Sequence, residues 1–261
     1  MIKDKIKIIP LSAFKDNYIW VLVNDQLNQA IVVDPGDAAP VIDFLNQHDL
    51  TLIGIFITHK HADHTGGIGE LLDAYPNIAV YAHPIEKISS TTHFVKQDEI
   101  ITLDKWPISF RVIHIPGHTL GHVAYYANSI LFSGDTLFGA GCGRVFEGTA
   151  EQMLFSLNKL AALPIDTLIY CGHEYTLDNL RFASHVEPEN EDIQQRIKLT
   201  ENLRLNYHPS LPSTIGLEKK TNPFLRCMQK SVISSVENYV NRKLTNIVDV
   251  FHELRGWKNS F

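Results

Sequence analysis

The segment Thr58–His64 (Thr-His-Lys-His-Ala-Asp-His) carries four metal-type side chains directly after an apolar run. Imidazole and carboxylate groups suit zinc, iron or manganese, and four of them at one strand end are hard to explain as scaffold. His59 and His61 alternate, as on one face of an extended chain, whereas Asp63 and His64 are adjacent and point in different directions. One tetrahedral ion cannot easily take all four. The segment therefore predicts a metal site with two neighbouring ions.

Three further apolar runs also end in a metal-type side chain. In each case a glycine comes immediately before it and lets the backbone turn sharply where the strand ends. Strands of an α/β sheet tend to deliver their loops to one rim, where active sites form. We therefore expect seven ligands to converge on one edge: His59, His61, Asp63, His64, His118, Asp135 and His173. The other histidines are expected to be structural, with His114 inside a strand and His122 packed near the site.

The first two thirds of the chain alternate short β-branched runs with helical patterns. Strands are predicted at Ile19–Val23, Ala30–Val33, Leu52–Ile57, Ala79–Ala82, Phe110–Ile115, Ser129–Phe132 and Thr167–Cys171. Helices are predicted at Ala38–Gln47, Ile68–Ala74 and Ala150–Leu163, the last after a capping-box pattern of Thr149 with Gln152. Strands mixed with crossover helices indicate a layered α/β body.

Beyond His173 the pattern becomes helical. Amphipathic helices are predicted at Glu189–Asn206, Ser231–Leu244 and Asn246–Arg255, because apolar residues recur there at helical spacing. The segment Tyr207–Pro223 has the proline and serine content of a loop. We therefore expect a smaller helical unit after the α/β body.

The composition excludes some classes of partner. With a net charge of −6 and a pI near 6.1, the chain lacks the basic surface of a nucleic-acid-binding protein. No apolar stretch approaches the ~20 residues that span a bilayer, and Met1–Lys7 is predicted to be an edge strand rather than a signal peptide. The cysteines, Cys142, Cys171 and Cys227, are widely spaced, as is typical of a reducing compartment. We expect a cytoplasmic monomer without nucleic-acid or membrane partners.

The charge is unevenly distributed along the chain. Residues 1–172 hold 11 basic and 18 acidic side chains, whereas residues 173–261 hold 12 and 11. One interpretation is chance variation. The other is that the tail meets an anionic ligand.

Several short motifs resemble those of known hydrolases. The segments Thr58–His64, Pro116–Thr119, Ser133–Thr136 and Gly172–His173 are similar to the ligand motifs of the metallo-β-lactamase superfamily. The resemblance narrows to the glyoxalase II (hydroxyacylglutathione hydrolase) family with five motifs: Phe14-x-Asp16-Asn17-Tyr18, Gly141-Cys142-Gly143-Arg144, Gly172-His173-Glu174-Tyr175-Thr176, Leu211–Gly216 and Asn222-Pro223-Phe224. It covers nearly the whole chain, including the helical tail.

The resemblance implies an α/β fold with two domains. Residues 1–172 would form a four-layer αβ/βα metallo-β-lactamase sandwich, and residues 173–261 a smaller C-terminal α-helical, substrate-binding domain. The seven ligands would hold two divalent ions, in two sets joined by one carboxylate: His59, His61 and His118 for the first, Asp63, His64 and His173 for the second, and Asp135 for both. Zinc is the first expectation for the two ions, and iron or manganese are the alternatives.

The resemblance also implies contacts with glutathione. They would be made by Arg144, Tyr175, Arg255 and Lys258. Some members of the family have lysine in place of Arg144, which keeps the charge. Some members have tyrosine where this chain has Phe146, and a phenylalanine ring cannot make the contact that the tyrosine hydroxyl makes. Without the resemblance, Arg255 and Lys258 would be interpreted as a solvated helix face.

The implied activity is hydrolysis of S-(2-hydroxyacyl)glutathione, such as S-D-lactoylglutathione, to glutathione and a 2-hydroxy acid such as D-lactate. Two divalent ions lower the pKa of a bridging water, so that hydroxide is available at neutral pH to attack the thioester carbonyl. Asp63 and Asp135 would hold and orient that hydroxide. The thiolate leaves without a strong general acid, because a thiol pKa is only about 8.5.

Three alternatives remain open from the sequence. One is an iron-dependent glutathione persulfide dioxygenase of the same superfamily, and another is a non-enzymatic metal-binding protein that kept the fold. The third is nucleophilic catalysis by Cys142 or Cys171, to which the sequence assigns no base. We expect both cysteines to be small packed residues.

Overall fold

The computed structural model describes residues 6–261, which form two compact units. The first unit comprises the chain up to His114 together with Thr119–Gly134, and the second comprises Ile115–His118 together with Asp135–Phe261. The edge strand predicted at Met1–Lys7 lies mostly outside the described residues. The edge strand of the structure begins at Lys7 instead and continues to Ala13.

The first unit contains a mixed sheet whose strands lie in chain order. Its strands are β1 (Lys7–Ala13), β2 (Asn17–Asn24), β3 (Gln29–Val33), β4 (Thr51–Phe56), β5 (Ala79–Ala82) and β6 (His93–Phe94). The strands β1, β2 and β3 pair antiparallel, whereas β3, β4, β5 and β6 pair parallel. Parallel neighbours need a crossover connection, and helices between the strands supply two of them.

Three helices belong to this unit: α1 (Ala39–Gln47), α2 (Ala62–Thr65) and α3 (Ile68–Ala74). The helix α1 buries Val41 and Leu45, and α3 buries Ile68 and Leu71. These side chains share one apolar cluster with the sheet. Burial of that cluster fixes the ends of β3 and β4, from which the first candidate ligands project.

The first unit also contains four strands of a second sheet. They are β7 (Ile100–Thr102), β8 (Ser109–His114), β9 (Val123–Ala127) and β10 (Ile130–Gly134), each antiparallel to the next. The strand β10 ends at Gly134, immediately before the candidate ligand Asp135.

The second unit is mainly helical. Its helices are α4 (Ala150–Ala161), α5 (Thr176–Val186), α6 (Glu191–Leu205), α7 (Ile215–Thr221), α8 (Lys230–Val240) and α9 (Ile247–Ser260). It also holds two short antiparallel pairs, β11 (Leu137–Phe138) with β12 (Gly141–Cys142) and β13 (Leu168–Cys171) with β14 (Ser213–Thr214). The predicted capping box at Thr149 is confirmed, because its side chain accepts from Gln152 and the Gln152 side chain accepts from Thr149.

Every strand and helix predicted within residues 6–261 is present, with ends that differ by a few residues. One prediction is wrong: the loop expected at Tyr207–Pro223 contains β14 and α7. The helix α7 has only seven residues, and Thr214 caps it by accepting from the amide of Leu217. The helix α5, the strand β9 and the β11–β12 hairpin were not predicted. None of the helices in residues 6–261 has the length and apolarity that crossing a membrane requires.

Candidate metal centre

Asp34, at the end of β3, organises the candidate ligands of the first unit. It is buried and adopts a left-handed backbone conformation, with φ of 53°. One carboxylate oxygen accepts from the amide of Thr58, and the other accepts from the Thr58 hydroxyl, both at 2.7 Å. The second oxygen also lies 3.1 Å from Nδ1 of His64. One carboxylate therefore ties the end of β3 to both ends of the ligand segment.

His59 and His61 direct two ring nitrogens toward each other. Nε2 of His59 lies 3.0 Å from Nδ1 of His61. The Thr58 hydroxyl gives its proton to Asp34, so at 3.1 Å it accepts from Nδ1 of His59, and this network assigns the lone pair of His59 to Nε2. Two imidazole nitrogens at this separation need a proton or a cation between them. The pair therefore fits one corner of a metal site.

Asp63 and His64 form a second facing pair. Nδ1 of His64 donates to the Asp34 carboxylate, which assigns the lone pair to Nε2. That nitrogen lies 3.6 Å from a carboxylate oxygen of Asp63, and the same oxygen accepts from the amide of Asn17 at 2.9 Å. An imidazole lone pair that faces a carboxylate is unfavourable without a cation. This pair therefore fits a second ion.

The second unit brings three further candidate ligands together around Asp135. One oxygen of its carboxylate lies 3.6 Å from Nε2 of His118 and 3.3 Å from Nε2 of His173. Nδ1 of His118 donates to the carbonyl of Arg144 at 2.8 Å, so its Nε2 carries the lone pair. A single oxygen between two imidazoles is the arrangement expected of a bridging carboxylate. All three side chains are buried.

The glycines before the ligands are confirmed as turning points at two of the three positions. Gly117 and Gly134 have φ of 153° and 47°, values that a side chain disfavours. A Cβ on Gly134 would also lie 2.3 Å from the Thr58 hydroxyl and 2.8 Å from the His122 ring. Gly172 has no positive φ, so the strand before His173 ends without that turn.

Glu86 holds the loop that carries His59 and His61 against a second loop of the same unit. Its buried carboxylate accepts from the amide of Lys60 at 2.7 Å, from the Thr119 hydroxyl at 2.9 Å and from the amide of Gly121 at 2.8 Å. A carboxylate satisfied by three donors fixes both backbones, because each bond lost would leave a buried polar group without compensation.

His122 lies where it was expected. Its ring stacks on that of His59 with centroids 4.7 Å apart and an angle of 15° between the planes. The stacking restricts rotation of a candidate ligand. His114 lies within β8, as predicted.

The aromatic candidates for substrate contact lie against candidate ligands. Tyr175 stacks on His173 with centroids 4.6 Å apart and nearly parallel planes, and the Phe138 ring meets the edge of Tyr175 at 5.3 Å. Phe146 is exposed, with its ring 5.2 Å from that of His118. Both candidates border the ligand cluster of the second unit.

The three cationic candidates influence one another. Arg255 is 8% exposed, so the interpretation of this residue as a solvated helix face is wrong. It donates to the carbonyl of Cys142 at 2.7 Å, and its guanidinium lies 4.9 Å from the centre of the Phe224 ring. The pKa of Lys258 is lowered by burial and further by the charges of Arg255 and Arg144. Positive charges that lower the pKa of Lys258 in this way favour an anion beside it.

The buried cysteines do not provide a nucleophile. All three thiols are free. Burial raises the pKa of Cys142 to about 11, although the charge of Arg255 and its hydrogen bond act in the opposite direction. Burial also raises the pKa of Cys171. Neither thiol forms a thiolate at neutral pH, so both are packed residues, as expected.

Known proteins match the chain along almost its entire length. The family model "Metallo-beta-lactamase superfamily" matches residues 15–173, and "Hydroxyacylglutathione hydrolase C-terminus" matches residues 174–261. A protein of Nitrosomonas eutropha named hydroxyacylglutathione hydrolase is 49% identical, over 98% of this chain and 99% of its own. One of the same name from Aeromonas hydrophila is 50% identical, over 97% and 99%. The chain belongs to the hydroxyacylglutathione hydrolase family.

A solved structure supports the fold of this family member. The crystal structure of ETHE1 from Myxococcus xanthus has a TM-score of 0.65 at 23% identity, covering 97% of this chain and 99% of that one. At this identity the likeness concerns the fold alone. The predicted α/β metallo-β-lactamase sandwich with a C-terminal helical region is confirmed.

Three residues that organise the site were not predicted from the sequence: Asp34, Glu86 and Asn17. Asp34 could have been recognised in the sequence. It follows the apolar strand β3 and precedes Pro35-Gly36, and the predicted ligands likewise follow apolar runs. Asn17 occurs in a motif of the resemblance, but without an assigned contact. Glu86 gave no signal, since an isolated glutamate after Pro84 is usually exposed.

We expect Asp34→Asn to weaken metal binding by roughly 10- to 100-fold. The negative charge of Asp34 orients His64 and makes this histidine a better ligand, and the substitution removes that charge. The measurement is competition for the metal with a chromophoric chelator. Asp37→Asn is the matched control, since Asp37 accepts only from the exposed amide of Ala39, which an asparagine can also satisfy. Equal metal affinity in the two variants would contradict the role of Asp34.

Proposed function

We propose that this chain hydrolyses the thioester of S-(2-hydroxyacyl)glutathione, such as S-D-lactoylglutathione, to glutathione and a 2-hydroxy acid. This reaction is the second step of methylglyoxal detoxification. The observation that carries the proposal is the 49% identity with a hydroxyacylglutathione hydrolase over 98% of the chain, which includes the helical tail. Ligand motifs are common to a whole superfamily, whereas the tail carries cations suited to a peptide with two carboxylates, such as glutathione.

The predicted ligands divide between two ions in this proposal. His59, His61 and His118 would hold one ion, Asp63, His64 and His173 would hold the other, and Asp135 would serve both. Support comes from the close pairs of His59 with His61 and of Asp63 with His64 within the first unit, and from the two imidazoles around one Asp135 oxygen in the second. The donor set is nitrogen and oxygen without thiolate, which suits zinc and also admits iron or manganese.

When bound, the two ions supply Lewis acidity and hydroxide at neutral pH. The chain contributes orientation. Asn17 donates to the Asp63 carboxylate and fixes its direction, and Asp135 lies between two imidazoles that restrict its rotation. With the ions in place, these two carboxylates would orient the attacking oxygen toward the thioester carbonyl.

The cations of the second unit bind the glutathione carboxylates in this proposal. Arg144, Arg255 and Lys258 lie close enough for the first two to lower the pKa of the third. A bound carboxylate relieves that repulsion. Phe146 and Tyr175 provide apolar contact beside the ligands, and Phe146 does so without a hydroxyl. No dedicated general acid is needed, since a thiol pKa of about 8.5 lets the thiolate leave at neutral pH.

The purified protein should hydrolyse S-D-lactoylglutathione, and removal of its metal with a chelator should abolish the activity. The measurement is release of glutathione thiol, with zinc, iron or manganese added back separately to the chelated protein. Full activity in the metal-free protein would refute the mechanism. Oxygen consumption with glutathione persulfide, in place of thioester hydrolysis, would favour the dioxygenase instead.

We expect Asp135→Asn to lose both metals, because a neutral amide oxygen is a poor bridge between two cations. Elemental analysis of the purified variant measures this directly. Asp166→Asn is the control, since Asp166 is an exposed aspartate of the same unit. An Asp135→Asn protein that retains the full metal content of the wild type would refute the bridging assignment.

The double variant Arg255→Ala/Lys258→Ala should raise KM by about 100-fold and change kcat little, because it removes charge contacts with a part of the substrate remote from the thioester. Steady-state kinetics over a wide range of substrate concentration would separate the two constants. Lys219→Ala/Lys220→Ala removes the same charge from the same unit and should leave KM unchanged. An unaltered KM in the first variant would exclude these residues from the substrate site.

A further inference from the structure

The turn between β11 and β12 is held by side chains from the helical tail. Its backbone is buried at Ala140, which adopts φ of 53°, a conformation that a residue with a Cβ rarely takes. The amide of Ala140 donates to the carboxylate of Glu218 at 2.7 Å. The carbonyl of Gly141 accepts from the side-chain amide of Asn222 at 2.9 Å, and that of Phe138 accepts from it at 3.4 Å.

Glu218 is fully buried in α7 and has a donor on each side. One oxygen accepts from the guanidinium of Arg196 at 2.7 Å and from the Ser213 hydroxyl. The other accepts from Ala140 and, at 3.0 Å, from the Asn222 amide. Arg196 is also buried and donates to the Thr221 hydroxyl at 2.5 Å. The ion pair is therefore satisfied, and α7 is fixed in the orientation that reaches the turn.

Asn222 has two separable roles. Its side-chain oxygen accepts from the amide of Phe224 at 3.1 Å and so caps the short helical turn Pro223–Leu225. Its side-chain nitrogen reaches across more than 80 residues of sequence to the hairpin. A serine in this position retains the local cap but is too short for the second contact.

The hairpin carries groups of the proposed substrate site. The ring of Phe138 meets the edge of His173 at 6.0 Å and that of Tyr175 at 5.3 Å. The carbonyl of Cys142 accepts from Arg255. Displacement of this hairpin would therefore move the acceptor that orients a glutathione-binding cation, together with the ring that supports Tyr175.

We propose that Glu218 and Asn222 are positioning residues for the glutathione site, which they serve by holding the β11–β12 hairpin beneath Arg255 and Tyr175. The inference rests on the proposed function. It assigns a role to the Asn222-Pro223-Phe224 motif, which makes no direct contact with a candidate ligand among the contacts described. Neither Glu218 nor Asn222 touches the substrate. A change in either side chain should therefore alter substrate binding by moving Arg255 and Phe138.

The test compares Asn222→Ser with the wild type in hydrolysis of S-D-lactoylglutathione. We expect KM to rise about tenfold and kcat to change less than about threefold, because substrate orientation is lost while the metal ligands remain in place. Metal content should equal that of the wild type. Hydrogen exchange at the Ala140 amide should accelerate, because the hairpin is held less firmly.

Asn190→Ser is the matched control. Asn190 also caps a helix through its side-chain oxygen, and its nitrogen donates to a distant backbone carbonyl, that of Lys220, at 3.1 Å. The same exchange therefore removes the same kind of bond from the same unit, at α7 itself, but removes no bond to the hairpin. It should leave KM and exchange at Ala140 unchanged. A merely structural role for Asn222 would lower the unfolding temperature of both variants equally without separating their KM values.

Gly141→Ala provides a second variant that leaves Asn222 intact. A Cβ at this position would lie 2.4 Å from the side chain of Asn179, which also donates to the carbonyl of Gly139. The added methyl should therefore shift the hairpin from its other side and raise KM in the same way. An unchanged KM in this variant, or in folded Asn222→Ser, would overturn the inference.

If the wild type itself does not hydrolyse the thioester, the proposed function fails. Hydrogen exchange at the Ala140 amide still tests whether Asn222 holds the hairpin.

Discussion

The close approach of imidazole and carboxylate groups that need protons or cations between them is the constraint on which this molecule depends. His59 faces His61 at 3.0 Å, Asp63 faces His64 at 3.6 Å, and one oxygen of Asp135 faces two further imidazoles. Lone pairs and negative charge at such distances are costly unless a proton or a cation lies between them. The fold must hold these groups in place before any cation arrives. Much of the surrounding polar structure can be understood as the means of doing so.

Four of the seven candidate ligands are each oriented by a partner on the far side of the side chain. Asp34 fixes His64 directly and His59 through Thr58, the backbone carbonyl of Arg144 fixes His118, and Asn17 fixes Asp63. Such partners select the tautomer and the ring direction, so that the metal-facing nitrogen carries its lone pair. The order of the site therefore comes from hydrogen bonds with ordinary polar groups, one of them a backbone carbonyl.

The sequence predicted those parts of the site that depend on local pattern. The segment Thr58–His64 was visible because a buried strand precedes it and its ligands are contiguous. The capping box at Thr149 was visible for the same reason, since both partners lie within one helical turn. The burial of Arg255 was not visible in the sequence, because it depends on packing between α9 and a hairpin more than 100 residues earlier.

The β11–β12 hairpin shows why other parts escaped prediction. Strands of two residues are too short for any periodicity to emerge, and the conformation of Ala140 is contrary to its own preference. The side chains that stabilise it come from α7, which itself lay in a segment with the composition of a loop. Long-range polar contacts of this kind leave no trace in local composition. The motif Asn222-Pro223-Phe224 indicated family membership, but not what its asparagine contacts.

The reach of Glu218 and Asn222 into the hairpin limits how this protein could be shortened or recombined. A chain cut after His173 would keep all seven predicted ligands yet remove the tail side chains that bond five hairpin backbone groups, at about 1–3 kcal/mol for each group that stays buried. Grafting the tail of a distant superfamily member would also leave these backbone groups without partners, unless that tail carried side chains equivalent to Glu218, Asn222, Asn179 and Arg255. Engineers who wish to change substrate preference should therefore exchange the hairpin and α7 as one module.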